Sequence, residues 1–194
     1  MQRIQIVVVS ITLFLSGFVS LTGDTSASAT ALASCSASAV HVAFSGFLGG
    51  AGSENDLFWV TNVADRSCAL RGYPDVTFLG PHAVQLSVKV TNAANRDYND
   101  LGGLKRGEAL PTVALAAHGG VASFMIYGTD EQHGSPPTTC IETRKMLVTL
   151  PNMRQQDTVL ARVGSAFYWC GGITVHPLVP GRTGADPPIP LLHR

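Results

Sequence analysis

Charge is scarce in this chain: Asp, Glu, Lys and Arg make up 13% of its 194 residues, and thirteen basic residues balance thirteen acidic ones. That balance removes the electrostatic footprint of a nucleic-acid binder and weakens the case for an anionic membrane surface as partner. Catalytic and metal spacings are missing too. No Cys-x-x-Cys, His-x-His or His-Glu-x-x-His occurs, so neither zinc nor a thiol redox pair has a motif behind it. His41, His82, His118, His133, His176 and His193 are dispersed. Ser165, in Val163-Gly164-Ser165-Ala166, lacks the second glycine of a hydrolase elbow. There is no Asn-x-Ser/Thr acceptor and no internal repeat, and no stretch beyond the first thirty residues carries an amphipathic helical period. The expectation is a non-enzymatic protein without cofactor or metal.

What is present begins with an export signal. Arg3 precedes an apolar run over 4–21, and Ala27-Ser28-Ala29 follows. This order of basic, apolar and small residues reads as a signal peptide over 1–29, with the mature chain starting at Thr30 and Ala31-Leu32-Ala33 as a second cleavage site. A membrane helix needs about 20 predominantly apolar residues, and this run is shorter and broken by Gln5, Ser10, Thr12, Ser16, Gly17 and Ser20. Leu32-Ala33-Ser34-Cys35 has the form of a lipobox, but it stands well after the apolar run, and lipidating Cys35 would leave an odd number of cysteines. The expected location is secreted or cell envelope, with a membrane contact only through an uncleaved signal or a lipidated Cys35.

Residues 30–178 suit one domain, and 179–194, with Pro180, Pro187, Pro188 and Pro190, read as an extended tail without packing. Cys35, Cys68, Cys140 and Cys170 permit three connectivities. Neighbour pairing is the simplest, closing two loops of about thirty residues, each worth roughly 3–4 kcal/mol in the chain-entropy model.

Short β-branched and alternating segments at 40–44, 56–63, 76–79, 84–90, 112–116, 121–127, 145–150, 159–163 and 172–176 read as strands, punctuated by pairs such as Gly80-Pro81, Gly119-Gly120 and Gly171-Gly172. The fold class expected is all-β, an antiparallel immunoglobulin-like β-sandwich stapled by disulfides. Consecutive Phe167-Tyr168-Trp169 must point to both faces if extended, which puts at least one ring outside the core.

Candidate binding residues are few. The segment 92–111 is longer than a hairpin needs, and with Asp97 and Asp100 it could serve a ligand or a calcium ion, though Arg96 dilutes its charge. Asp130 and Glu131 form a second acidic pair. Trp169 is the aromatic candidate for a glycan. Arg71 could grip a carboxylate or phosphate; its structural alternative is to cap loop carbonyls or pair with Asp75. In the stretch around it, Cys68 would fix a corner, Gly72 would take a backbone conformation barred to other residues, and Pro74 would end ladder pairing.

Leu57-Phe58-Trp59-Val60-Thr61-Asn62, then Ser67-Cys68-Ala69-Leu70-Arg71-Gly72-Tyr73-Pro74, resemble the bacterial domain-of-unknown-function family 4232 of exported and lipid-anchored envelope proteins. Cys35, 115–127, Cys140, 147–151 and Cys170 before Ile173-Thr174-Val175 extend the resemblance over most of 35–178. It implies a β-sandwich with the four cysteines paired and carries no established activity, so no catalytic residue transfers. The chain departs from the family in its longer 92–111 insertion. The function expected is an exported interaction module with an envelope protein or glycan as partner; the alternatives are a small-ligand or glycan binder and, behind it, a hydrolase.

Overall fold

A computed structural model describes residues 31–50, 52–93, 109–129, 139–161 and 165–182. The expected signal peptide, Asp97, Asp100, Asp130, Glu131 and the Pro187–Pro190 motif lie outside them.

The longest element is a hairpin. β1 (Val40–Gly50) runs antiparallel to β2 (Ser53–Asn62), in register from Val40 with Asn62 to Gly50 with Ser53, and one irregularity falls between Phe44 and Gly46. The far edge of β2 pairs along nine residues with β7 (Val121–Thr129). Six consecutive residues of β2, Asn55 to Val60, are buried, so this strand is covered on both faces. Next to β7 stands β11 (Phe167–Val175), followed by β5 (Val90–Asn92) in parallel. β8 (Cys140–Thr143) extends β11, and β12 (Val179–Pro180) extends β7, completing a seven-stranded sheet.

Two smaller antiparallel sheets complete the described strands. One has the order β10 (Asp157–Leu160), β9 (Lys145–Thr149), β4 (Asp75–Leu79); the other pairs β3 (Cys68–Leu70) with β6 (Val113–Leu115). The two helical turns, Ala37–Ala39 and Pro81–Ala83, are single 3-10 turns. The fold is therefore all-β, and the described strands pair antiparallel apart from β5 with β11.

Residues from all three sheets meet in one core, and strand alternation decides which ones. Phe58 and Phe124, partners across β2 and β7, stack at 4.9 Å between ring centroids. Phe167 lies parallel to Trp169 at 5.5 Å, and Trp169 meets Phe78 of the facing β4 at 4.9 Å. Together these rings supply much of the apolar area the domain removes from water. Phe167 and Trp169 are buried, and Tyr168 is the half-exposed ring between them.

Both bridges join sequence neighbours, Cys35 to Cys68 and Cys140 to Cys170. No free cysteine remains. The first ties the chain ahead of β1 to β3, where the Cys35 N–H also donates to the Ala69 carbonyl. Its formation uses the sulfur that a lipid on Cys35 would require. The second joins directly paired residues of β8 and β11.

The structure corrects several local expectations. The 84–90 segment is not a strand: His82 and Ala83 take left-handed backbone (φ 59° and 60°), and the chain hooks back so that the Leu86 N–H donates to the Phe78 carbonyl. Within 84–90, only Gln85, in an isolated bridge, and Val90, in β5, pair. β3 and β8, three and four residues long, are too short to show a period and owe their position to the cysteines they carry. β11 starts at Phe167, five residues before the expected 172, and β10 starts at Asp157. Past residue 178 the sheet continues through Val179 and Pro180, paired with Ser123 and Ala122, so the start of the expected tail is packed.

Two tests follow. Non-reducing peptide mapping is expected to return Cys35–Cys68 and Cys140–Cys170 peptides alone; a mixed fragment would refute the connectivity. A Cβ on Gly128 would stand 2.3 Å from Trp169 Cδ1, whereas one on Gly49 meets nothing closer than 3.6 Å. Gly128→Ala is expected to lower stability in urea unfolding by roughly 1–3 kcal/mol through overpacking. Gly49→Ala should stay within about 0.5 kcal/mol of the parent. Equal effects would contradict this packing.

Candidate functional site

The residues that carried the family resemblance turn out to hold the backbone together. Asn62, fully buried at the end of β2, donates from Nδ2 to the Arg66 carbonyl at 2.9 Å and the Leu115 carbonyl at 3.2 Å, and its Oδ1 accepts the Ala64 N–H at 3.0 Å. One side chain thus satisfies the turn after β2 and fastens it to β6. Gly72 has φ 125°, the conformation read for it from the sequence, and its carbonyl accepts the Leu178 N–H. β4 begins immediately after Pro74.

The expected binding residues do not assemble. Arg71 is exposed, and among the described residues neither Asp75 nor any other carboxylate is within ion-pair distance of it. Trp169 is 0% exposed in the core, so it offers no face to a sugar. It is drawn inward because the odd-numbered residues of the Phe167–Trp169 run face the core. Asp97 and Asp100 fall outside the described residues.

Titratable groups concentrate instead in three places. On the surface, Asp157 of β10 reaches β1: its Oδ2 accepts the Val42 N–H at 2.8 Å, with His41 Nδ1 3.9 Å away. β1 and β10 are the edge strands of their sheets, so this carboxylate satisfies an outward N–H that would otherwise be open to another chain. Beside it lies a shallow cleft of about 10 Å³ lined by Val40, Val148, Leu150, Met153, Gln155 and Asp157. That is below the roughly 300–1,000 Å³ of small-molecule sites.

The second place is the core face of β2. Asp56 is 1% exposed, is hydrogen-bonded to Glu54, and has its acidity suppressed to a pKa of about 8, first by burial and then by the Glu54 charge. A carboxyl that keeps its proton at neutral pH can donate a hydrogen bond or a proton. Motif searching missed this pair. The signal for it was Asp56 sharing a strand face with Phe58 and Val60.

The third is the opposite face of the same sheet. There Leu57, Trp59 and Met125 are buried, and Arg182 stands over the Trp59 ring at 4.4 Å. His176, bonded through its backbone N–H to the Met125 carbonyl, is 8% exposed, and burial depresses its pKa from 6.5 to about 4. Among the described residues no group of three or more His, Cys, Asp or Glu could hold a metal ion.

Sheet architecture, paired cysteines and a structural rather than ligating use of the most distinctive residues define an all-β, disulfide-stapled domain of an oxidising compartment. Residues 35–178 match the family described as domain of unknown function DUF4232, and the chain belongs to that family. No curated protein and no solved structure matches it.

His176 supplies a direct test of this electrostatic picture. Its folded pKa lies below the unfolded value, so it favours folding above about 6.5 and withdraws that support as pH falls toward 4. The ring proton resonance of His176 is expected to titrate near pH 4; a midpoint near 6.5 would show that the ring is not buried.

Proposed function

We propose that the protein is an exported, non-enzymatic interaction module of the cell envelope or extracellular space, and that it engages an envelope protein through the end of the β1–β2 hairpin. One observation carries the reading. Phe47 is 60% and Leu48 40% exposed, and as successive strand residues they leave opposite faces of the hairpin. The surrounding stretch Ser45-Gly46-Phe47-Leu48-Gly49-Gly50 has no charged residue and lies on an edge strand. Uncharged edge strands with exposed apolar side chains pair readily with other chains. The two bridges support an extracytoplasmic setting. Trp169, one of the residues on which the glycan alternative is based, is buried.

A photo-activatable residue placed at position 47 in the native host should yield a discrete adduct with an envelope protein. The same residue at Leu160, an exposed apolar position (63%) on β10, should not. Phe47→Ser and Leu48→Ser should abolish the adduct while changing stability by about 0.5 kcal/mol or less. Equal crosslinking from both positions, or none from 47, would sink the proposal.

A further inference from the structure

Hydrogen-bond parity fixes which backbone groups β1 presents at its outer edge. In an antiparallel ladder, alternate residues of a strand bond to opposite neighbours. At the end of β2, the Asn62 N–H donates to the Gly120 carbonyl and the Asn62 carbonyl accepts the Gly119 N–H, both just ahead of β7. Even-numbered residues of β2 therefore bond toward β7, and their partners in β1 turn N–H and C=O outward. Through the register those partners include Val42, Phe44, Phe47 and Gly49, and counting along β2 absorbs the irregularity between Phe44 and Gly46. Val42 bears the parity out, since its N–H reaches outward to Asp157 Oδ2. β1 ends the strand order of the large sheet, so past the Asp157 cap the outward groups of Phe47 and Gly49 face no further strand among the described residues.

We propose that this edge is a homodimer seam: β1 of one copy pairs antiparallel with β1 of a second, setting Phe47 opposite the second copy's Gly49 and Leu48 opposite the second copy's Leu48. The inference rests on the hairpin end being the contact surface, and it names the envelope protein met there as this chain itself.

The edge is complementary to its own copy in hydrogen bonding, shape and charge. With Leu48 on the two-fold axis, Phe47 and Gly49 each exchange both backbone bonds with the other copy's Gly49 and Phe47. Centring on Phe47 instead would set Gly49 against Ser45 at the irregularity, and centring on Gly49 would set Phe47 against residue 51, beyond the end of β1. The Phe47 ring is 60% exposed and leans along its strand, with Cδ2 3.8 Å from where a Cβ on Gly49 would stand. Because Gly49 lies opposite the second copy's Phe47, the two rings meet with no side chain between them. Leu48, 40% exposed on the other face, meets its own counterpart. No residue of 45–50 is charged and the chain has no net charge, so two copies approach without repulsion. In this register the Asp157-capped half of each β1 falls beyond the other copy's Gly50 and leaves the seam unobstructed.

The test is sedimentation velocity on the oxidised protein recovered from its host, from micromolar to millimolar concentration. The wild type should shift from the mass of one copy to that of two. Leu48→Lys and Leu48→Glu each put like charges on the two-fold axis and should weaken association roughly tenfold or more. An equimolar mixture of the two variants should recover the dimer, a rescue that arises only where position 48 faces itself. Urea midpoints equal to the wild type's would show that both variants fold; if either does not, Phe47→Ser takes its place and should also stay a single copy. A wild type that remains one copy throughout, variants that associate as tightly as the wild type, or a mixture no tighter than its components would overturn the seam. If the wild type remains one copy while position 47 still crosslinks to a different envelope protein, the homodimer fails and the hairpin-end reading stands. With neither dimer nor adduct, both fail.

Discussion

A strand covered on both faces has no solvent side on which to place a charge, and β2 is such a strand. It joins the β1 hairpin to the rest of the large sheet through β7, and it delivers Phe58 and Val60 to one side and Leu57 and Trp59 to the other. Its end is tied down by Asn62, whose three hydrogen bonds satisfy the following turn and join it to β6. An ionisable residue within this strand is consequently held at unusual expense, and Asp56 is the residue so held.

The bridges and the aromatic core divide the remaining task. Cys35–Cys68 fixes the chain entering β1 to the small β3–β6 sheet, while Cys140–Cys170 fixes β8 to β11 at the place where Trp169 turns inward. β8 has few residues with which to earn its own position. Disulfide pairing replaces the hydrophobic area such a short strand cannot bury. At the open side of the two facing sheets, Asp157 occupies the Val42 N–H. Along β1, the exposed uncharged edge is therefore its far half, around Phe47 and Leu48.

Asp56 and His176 sit on opposite faces of the same sheet and are perturbed by the same cause, burial, with opposite consequences. Burial disfavours charge, so the acid keeps its proton and the imidazole stays without one. A sheet with two dry faces can thus carry two uncharged ionisable groups near neutrality. Their effects on stability have opposite slopes with pH.

Much of the fold was legible in the chain. Alternation located the central strands, because β2 and β7 are long enough for a period of two to be read. The spacing of four cysteines made neighbour pairing the simplest choice, and Gly72 announced its own turn. The 84–90 segment misled because its alternating Leu86 and Val88 do pack on the core, but from an irregular chain whose path is set by His82 and Ala83. Arg71 and Trp169 were singled out by residue type alone. Which side of a strand faces the core depends on partners distant in sequence, and those partners turned Trp169 inward and left Tyr168 at the surface. By itself the sequence determined the all-β class, the cysteine set and the family, since these rest on local period, composition and motif. Only the tertiary structure decided that Asp56 is buried while Phe47 and Leu48 stay exposed, because burial is a property of what packs against a residue.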